Sequence, residues 1–504
     1  MKLQSSEHLR QTAGQTELVT PSESLLSKTL SKRIEMHKTI VITLFCLSLW
    51  LLNSTCHAQE WQAAKPNIVF ILADDMGWKD PGFMGNTYHE TPNLDKLSKM
   101  GTTFTNAYAN APNCAPTRAS LMTGQYTPRH GIFTVASAER GKSENRKLIP
   151  PVNKHVLAPH FLTFPELLKK EGYAMASIGK WHLGGSPKTN PLARGFDLNI
   201  GGDQRGSPRS YFSPYKNDHL EDGPDGEYLT DRLTDEALKF IADNQEKPFF
   251  LYLTHFAVHT PIQGKKELVE KYKNKPPPEG KYNPTYAAMV ESLDQGVGRV
   301  MDKLKELGLE ENTIVIFFSD NGPYFRASDA LPLRGSKGML YEGGIREPLV
   351  IYWKGHTKAG LTIDEPLIGT DFFPTFLELA GINKGAYTLD GESLLPLLES
   401  GKSLKREALF WHFPAYLEPY GGMKQKWRQV PASAIRMGDW KLIENFETGE
   451  LELYNLKRDI GESVNLVDSE TRRAKRMHRA LIKWRGELKA PVPTELNPDY
   501  KGDQ

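Results

Sequence analysis

Short apolar runs alternate with segments of helical periodicity along most of this chain, and this alternation restricts the possible folds more than any other feature. The run Asn67–Ala73 contains no charged residue and leads directly into two aspartates. Similar runs at Tyr173–Ile178, Pro248–His255 and Thr313–Phe318 are separated by helical patterns such as Tyr286–Leu307. Strands that alternate with helices favour parallel pairing, with helices covering both faces of the sheet. The sequence therefore predicts an α/β fold with a mostly parallel sheet flanked by helices.

The pattern changes at about residue 400. Short strands between Ala434 and Leu456 are separated by turn residues, which predicts an antiparallel meander, and a helix follows at Ala474–Leu488. We therefore expect residues 59–400 to form a large domain. Residues 401–504 are predicted to form a smaller C-terminal subdomain with an antiparallel sheet plus a helix.

The first 58 residues are predicted to be an N-terminal extension and signal peptide. Met36–Lys38 is a basic start, Thr39–Leu52 is apolar, and Ala58 is a small residue suited to cleavage. We expect translation to begin at Met36, cleavage near Ala58 and a periplasmic or secreted mature protein without a membrane span, because the apolar run is short. A lipoprotein anchor on Cys56 is the alternative, although the residues before it match a lipobox poorly.

Cysteine usage then becomes informative. The chain has three cysteines, and two of them, Cys46 and Cys56, lie in the predicted leader. Exported proteins usually pair their cysteines in disulfides, but Cys114 has no second cysteine in the mature chain. A lone cysteine is either an incidental buried residue or one with chemistry of its own, and its isolation alone leaves both readings open.

The overall charge excludes some partners. The formal net charge is only +2, so neither nucleic acid nor a membrane surface is expected as the main partner. If the protein handles an anion, its positive charge must be concentrated in one site.

Oxygen-bearing side chains follow two of the predicted strands. Asp74 and Asp75 follow the first strand, and Asp320 and Asn321 follow a much later one. Ligands of open α/β sheets bind beyond the carboxyl ends of the strands, and this donor set suits a hard divalent cation. Calcium is favoured over zinc, and magnesium is possible. The alternative is two unrelated turns, since Asp and Asn are common turn residues.

Basic side chains also cluster near strand ends. Taken singly, each histidine or lysine is more often structural than catalytic. Together they predict a cationic pocket that suits a sulfate or phosphate group. The set comprises Arg118, Lys180, His182, His259 and Lys337.

Several motifs in a fixed order resemble those of one family. Cys114–Arg118, with the sequence Cys-Ala-Pro-Thr-Arg and running on to Gly124, resembles the first signature of the type I, formylglycine-dependent sulfatases. Gly172–His182 resembles their second signature. The early Asp-Asp pair, the late Asp-Asn-Gly and the Arg334–Gly338 loop before Glu-Gly-Gly also match in order. The resemblance covers about residues 65–480 and is to bacterial secreted enzymes of the arylsulfatase and N-acetylgalactosamine-4-sulfatase type.

The resemblance implies an alkaline-phosphatase-like fold and a sulfuric ester hydrolase. It implies that a formylglycine-generating maturase converts Cys114 to 3-oxoalanine (formylglycine), whose hydrate attacks sulfur. It further implies one Ca²⁺ ion bound by Asp74, Asp75, Asp320, Asn321 and the modified side chain of Cys114.

The resemblance also implies roles for the basic residues. Arg118 would steady the nucleophile, and Lys180 and Lys337 would neutralise the sulfate. His182 would be the base that releases sulfate, and His259 would protonate the leaving alcohol.

The substrate implied by this resemblance is a sulfated polysaccharide or oligosaccharide, and a galactose-type 4-sulfate is our expectation. Loops 185–225 and 411–432 are rich in aromatic and charged residues and are predicted to shape the sugar subsites. Two alternatives stay open: a phosphodiesterase or phosphonate hydrolase of the same superfamily, and a non-catalytic glycan-binding homologue.

Overall fold

A computed structural model describes residues 65–278 and 280–502, together with Arg33 and Met36. The predicted signal peptide, with its apolar run and its cleavage site near Ala58, lies outside the described residues and stays a prediction. No helix within the described part of the chain is long and apolar enough to span a bilayer.

The larger sheet has nine strands among the described residues. They are β1 (Asn67–Ala73), β2 (Thr102–Tyr108), β3 (Ala174–Gly179), β4 (Leu198–Ile200), β5 (Phe249–Thr254), β6 (Thr313–Ser319), β7 (Arg346–Trp353), β8 (Leu361–Ile363) and β9 (Leu367–Ile368). Their order is β4-β3-β5-β1-β6-β7-β2-β8, and β9 pairs with β2. Strand β7 runs antiparallel to both of its neighbours, and the other pairs are parallel. The predicted mostly parallel sheet is confirmed.

The helices are α1 (Pro92–Met100), α2 (Cys114–Thr123), α3 (Thr127–His130), α4 (Phe164–Lys170), α5 (Leu229–Asp243), α6 (Lys266–Lys273), α7 (Pro284–Glu306), α8 (Glu342–Ile345), α9 (Phe372–Leu379), α10 (Leu395–Ser400) and α11 (Thr471–Leu488). Single 3₁₀ turns occur at Gly82–Met84, Ser143–Asn145, Leu192–Arg194, Glu310–Asn312, Gly369–Asp371 and Lys384–Ala386.

Both faces of the larger sheet are covered at its centre, which explains why its central strands, such as β1, β5 and β6, are nearly continuous apolar runs. In β1, Ile68 and Phe70 point into one core cluster, whereas Val69 and Ile71 point into the other. Side chains alternate between the two faces of a strand, so a strand buried on both sides needs apolar residues at every position. Every residue of β1 is accordingly buried.

The C-terminal meander is also confirmed. Strands β10 (Leu409–Phe413), β11 (Ala432–Met437), β12 (Trp440–Asn445) and β13 (Leu451–Asn455) form an antiparallel sheet in chain order, and β10 was not predicted. Helix α11 buries Met477 and Leu481 in the same core cluster as this sheet. Residues Ala64–Gln504 form one compact unit, and the subdomain boundary at residue 400 stays a prediction.

One local expectation was wrong. From the sequence pattern, Thr117–Met122 is expected to form a helix that begins at Thr117, but the helix after β2 begins at Cys114. Proline is compatible with the first turn of a helix, where backbone N–H groups lack helical partners, so Pro116 does not delay the start. Cys114 therefore occupies the first helical position.

Candidate active site

The predicted site residues meet at one edge of the larger sheet. Strands β3, β5, β1 and β6 are consecutive neighbours in it, and each carries polar side chains just beyond its carboxyl end. These residues are Lys180 and His182 after β3, His259 after β5, Asp74 and Asp75 after β1, and Asp320 and Asn321 after β6.

Helix α2 brings the cysteine to this edge. Every residue of the helix is buried, and Cys114 is only 2% exposed. Its Sγ lies 3.3 Å from Nδ1 of His182. Arg118 follows one helical turn later, on the same face. Its Nη1 donates to the carbonyl oxygen of Lys180 at 2.8 Å, which joins α2 to the end of β3.

Each carboxylate of the site faces a cation. Lys180 Nζ lies 2.8 and 2.7 Å from the two carboxylate oxygens of Asp74. Lys337 Nζ lies 2.6 Å from Asp75 Oδ1, and Arg118 Nε donates to Asp320 Oδ2 at 2.8 Å. All six groups are buried, and an isolated buried charge would be costly, so this pairing is what permits so dense a cluster.

The oxygen donors fit a divalent cation. Ligand atoms of Asp74, Cys114 and Asp320 all lie within 4.8 Å of one another. Asn321 Nδ2 donates to Asp75 Oδ1 at 2.8 Å, whereas its Oδ1 is buried and has no hydrogen-bond partner among residues 65–278 and 280–502. A buried acceptor without a donor needs a partner, and a hard cation between carboxylates would supply it.

The electrostatics of the carboxylates lead to the same conclusion. Burial raises the pKa of Asp74 well above its usual range despite Lys180, and the nearby carboxylates of Asp320 and Asp75 add to this rise. Burial alone would also raise the pKa of Asp75, but Lys337, His259 and Lys180 together hold it below its usual range. A bound divalent cation would favour the ionised form of all three carboxylates.

Both histidines are neutral imidazoles near pH 7. Burial and the positive charges of Lys180 and Arg118 hold the pKa of His182 well below its usual range. Burial, assisted by Lys337, lowers the pKa of His259 to about 3. His259 Nδ1 lies 2.8 Å from the carbonyl oxygen of Thr260, and Nε2 lies 3.6 Å from Asp75 Oδ2. A neutral His182 beside Cys114 can accept a proton.

The backbone at these strand ends is unusual. Asp75 and His182 have φ values of 62° and 63°, in the left-handed region that non-glycine residues rarely adopt. Gly179, just before Lys180, has a φ of 105°, and a Cβ there would lie 1.9 Å from the carbonyl oxygen of Thr254. Only glycine allows β3 and β5 to converge this closely. This convergence places Lys180 within reach of Asp74.

Two supporting residues escaped the sequence analysis. Asp80 accepts hydrogen bonds from Gly77 N at 2.7 Å and from the Tyr286 hydroxyl at 2.6 Å, which fixes the turn after Asp75. The Tyr211 hydroxyl donates to the carbonyl oxygen of His259 at 2.9 Å. A third aspartate soon after Asp74 and Asp75 was a signal for Asp80. Tyr211 offered none, because its partner lies 48 residues away.

Comparison with known proteins identifies the family. The sulfatase family profile matches residues 66–382, and the profile described as N-sulphoglucosamine sulphohydrolase, C-terminal, matches residues 336–487. A sulfatase from Formosa agariphila is 32% identical over 91% of this chain and 95% of the relative. Human N-acetylgalactosamine-6-sulfatase is 30% identical over 86% of this chain and 88% of the relative.

A solved structure is similar over the same extent. The crystal structure of Ps i-CgsB in complex with k-i-k-neocarrahexaose superposes with a TM-score of 0.70 and 31% identity, covering 86% of this chain and 95% of that one. The family profile, the relatives and this fold agree with the resemblance read from the motifs. The chain therefore belongs to the sulfatase family, and it is an enzyme that hydrolyses sulfate esters.

Proposed function

We propose that this enzyme removes sulfate from a sulfated polysaccharide or oligosaccharide, using a nucleophile made from Cys114. One observation carries this proposal: Cys114, the free cysteine of the described residues, lies 3.3 Å from a neutral histidine within a cluster of buried lysine and arginine side chains. A structural cysteine has no need of such neighbours, whereas attack on a sulfate ester needs all of them.

The side chains have distinct tasks in this proposal. The formylglycine hydrate would supply a nucleophilic hydroxyl and a second hydroxyl whose deprotonation releases sulfate. His182, with its Nδ1 beside Cys114, accepts that proton. Arg118 is held by Asp320 and fixes the first turn of α2. Lys180 and Lys337 face the charge that develops on the sulfate oxygens. His259 is neutral in the free site, so it would protonate the leaving alcohol only after the bound sulfate anion has raised its pKa and it has taken up a proton.

Calcium is the proposed metal ion. Asp74, Asp75, Asp320 and Asn321 would hold it. Oδ1 of Asn321 has no hydrogen-bond partner among the described residues, which supports a role of this oxygen as a calcium ligand. The ion would supply positive charge for a sulfate oxygen and for the attacking hydroxyl. After removal of divalent ions with a chelator, we expect activity to be lost and calorimetry to show one calcium ion bound per chain. Restoration by zinc but not by calcium or magnesium would contradict this assignment.

The names of related proteins support a sulfated glycan as substrate. Ps i-CgsB was crystallised with k-i-k-neocarrahexaose, and several relatives are N-acetylgalactosamine-6-sulfatases. Our expectation from the sequence was a 4-sulfate on a galactose-type sugar. The relatives support the galactose-type sugar and add its 6-sulfate as a candidate. A panel of defined 4- and 6-sulfated galactose and N-acetylgalactosamine oligosaccharides, analysed for released sulfate, distinguishes the two positions.

The proposal includes the route by which the enzyme matures. A secreted or periplasmic location agrees with the leader-like composition of the first 58 residues. A formylglycine-generating maturase is the partner that conversion of Cys114 requires. N-terminal sequencing of the mature protein from its native host should show a start close to Gln59, whereas a start near Met1 would contradict export.

The experiment that tests the nucleophile is peptide mass spectrometry across Cys114 on protein from the native host. We expect the mass of formylglycine and, for Cys114→Ser, retained substrate binding without turnover. Near-normal multiple turnover by Cys114→Ser would refute the aldehyde mechanism. Parallel assays with paired sulfate and phosphate esters exclude the phosphodiesterase and phosphonate hydrolase alternative if only sulfate is released. The absence of turnover on every sulfated glycan, despite a confirmed aldehyde, would favour a glycan-binding protein.

A further inference from the structure

A buried arginine in the 411–432 loop has donor groups without acceptors among the described residues. Arg428 is only 8% exposed, and neither its Nε nor its Nη1 has a hydrogen-bond partner within the described parts of the chain. Arginine cannot give up its proton under ordinary conditions, so this charge stays in place after burial. Buried donors without acceptors are costly, and the cost implies a partner that the described residues do not provide.

The surroundings of Arg428 make an anion the matching partner. Its guanidinium lies over the ring of Tyr420, 3.8 Å from the ring centre. Burial lowers the pKa of Arg428, and the like charge of Arg140 contributes in the same direction, whereas Tyr420 and the carboxylate of Glu418 oppose the shift only in part. The half-buried Arg140 therefore adds to the positive potential around Arg428. An anion with planar or tetrahedral oxygens would bind the free donors and offset this repulsion.

This positive space is next to the catalytic lysine. A Cβ on Gly338 would lie 2.8 Å from Arg428 Nε, so the guanidinium packs directly on the residue after Lys337. The backbone N–H of Gly338 donates to the carbonyl oxygen of Pro112 at 2.7 Å, two residues before Cys114. Arg428 therefore packs on the same short backbone segment that connects the lysine loop with the start of α2.

A cavity of about 620 Å³ adjoins the guanidinium. Its lining includes Arg428, Trp427, Tyr341 and Ser336, the residue before Lys337. The Ser336 hydroxyl is buried and has no hydrogen-bond partner in the portion of the chain that is described. Aromatic walls with a few free polar groups are typical of ligand sites of this size, and the space can hold a sugar ring with its substituent.

We propose that Arg428, with Arg140 and Tyr420, forms a second anion-binding subsite that recognises a charged substituent next to the sulfate being removed. This inference rests on the proposed function, because the substituent belongs to the same glycan. The anion is a second sulfate ester or a uronate carboxylate, which present the same oxygen chemistry to a guanidinium. The enzyme would thus prefer a substrate with two anionic groups over one with a single sulfate.

The test compares the matured wild type with Arg428→Gln on four substrates. These are 4-nitrophenyl sulfate, a monosulfated disaccharide, the same disaccharide with a second sulfate, and the monosulfated disaccharide with a uronic acid. We expect Arg428→Gln to lower kcat/KM about 10- to 100-fold on whichever doubly anionic substrate the wild type prefers. On 4-nitrophenyl sulfate and the monosulfated disaccharide, the change should stay within about threefold. The preferred doubly anionic substrate identifies the anion as sulfate or carboxylate.

Controls separate this subsite from a structural role and from the proposed function. Arg472→Gln, an exposed arginine on α11, should match the wild type on all four substrates. Arg428→Lys should retain part of the preference. The ligand-free Arg428→Gln protein should unfold at the same or a higher temperature than the wild type, because a buried charge with unsatisfied donors is removed. An equal loss on all substrates, a lower unfolding temperature, or no loss on either doubly anionic substrate would each overturn the inference. Turnover of 4-nitrophenyl sulfate by the wild type tests the sulfatase chemistry independently.

Discussion

The described residues include two buried clusters that each combine acidic and basic side chains. The two clusters differ in whether the polar groups in and around them all have partners within the protein. The catalytic cluster (Asp74, Asp75, Asp320, Arg118, Lys180 and Lys337) lies at the carboxyl edge of the larger sheet. The anchor cluster (Tyr108, Glu342, Arg346, Arg436, Lys441 and Glu462) lies between that sheet and the C-terminal one.

The anchor cluster is closed by its own members. Lys441 Nζ lies 2.9 Å from Glu342 Oε1 and 2.9 Å from Glu462 Oε1. The Tyr108 hydroxyl donates to Glu342 Oε2 at 2.6 Å, and the Glu342 backbone N–H donates to Glu462 at 2.7 Å. Glu342 belongs to the Glu-Gly-Gly motif, which matched the family without an assigned role. Its position indicates that it joins the two sheets.

The charges of the catalytic cluster also pair with one another, but the residues beside them leave a polar group open. Asn321 Oδ1 has no partner within the described residues, and two site residues, Asp75 and His182, adopt left-handed backbone angles. Similar sets of charges can therefore serve different ends. When every group is paired inside the chain, the cluster contributes to holding the fold, and when groups are left open, the cluster is ready for a ligand.

Removing Lys337, one of the two lysines of the catalytic cluster, should cause the largest loss of activity. Lys337→Met is expected to lower kcat/KM by roughly 10³-fold or more, because the developing charge on the sulfate loses a buried cation. Its unfolding temperature with calcium present should change less than that of Lys441→Met. Initial rates on 4-nitrophenyl sulfate and calorimetry measure both effects. A large loss of stability with nearly unchanged kcat/KM would show that Lys337 is structural.

Removing Lys441, the lysine of the anchor cluster, should have the opposite result: a large loss of stability and little change in substrate binding. Lys441→Met leaves the buried Glu342 and Glu462 without their shared cation, so the free energy of unfolding should fall by about 3–5 kcal/mol. Denaturant titration measures this change. Lys475→Met, on the exposed side of α11, serves as the control and should stay within about 0.5 kcal/mol. The variant's folded fraction should retain normal KM, and a changed KM would place Lys441 closer to the substrate than its contacts indicate.

A smaller loss is expected from crowding His182. A Cβ on Gly206 would lie 2.5 Å from Cε1 of His182, so Gly206→Ala must displace the imidazole from its position beside Cys114. We expect kcat to fall about 10- to 100-fold with little change in stability, since a misplaced base is an inefficient one. Gly486→Ala, where a Cβ meets nothing within 4 Å, is the matched control. An unchanged kcat for Gly206→Ala would argue against His182 as the base.

The smallest expected effect is a pH dependence of the stability that the anchor cluster contributes. Burial raises the pKa of Glu462 from 4.5 to about 7, although Lys441 opposes the rise. The folded protein therefore holds this proton more tightly than the unfolded chain, so its stabilising contribution is complete below pH 4.5 and is lost as the pH rises to about 7. Glu342 has a pKa lowered from 4.5 to about 2, so its own effect on the pH dependence of stability falls below pH 4.5.

Glu462→Gln carries no titrating group at this position. Between pH 4.5 and pH 7, the wild type should lose about 1–3 kcal/mol of unfolding free energy relative to the variant. Denaturant titrations of both proteins at several pH values measure this difference. If the two proteins respond in parallel to pH, then Glu462 keeps an ordinary pKa in the folded state.

The sequence predicted those features that depend on local pattern. The apolar runs of β1 and β6 and the polar residues after them were sufficient to place Asp74 and Asp320 at one sheet edge, because parallel strands share that edge. The helical start at Cys114 was missed because prolines near a helix start are compatible with several boundaries. The family motifs supplied the roles, which stay predictions.

Features that depend on distant packing could not be predicted. Gly338 and Arg428 are 90 positions apart, and the sequence around either residue contains no pattern that predicts their contact. The same is true of Tyr108 and Glu342, whose hydrogen bond spans 234 positions. Whether a buried polar group has a hydrogen-bond partner depends on the tertiary structure, so it cannot be predicted from the local sequence.

The pairing of β1 also sets an order of events during synthesis. Its residue Ile68 pairs with Phe250 and Ile314, so the central strand cannot complete its hydrogen bonds until most of the chain has left the ribosome. Cys114 is made long before that point, and the sheet then encloses every residue of its helix. A converting enzyme of any kind would reach this thiol most easily in the interval between the two events. Slower closure of the sheet would lengthen that interval, so the yield of modified protein should depend on how fast the chain folds.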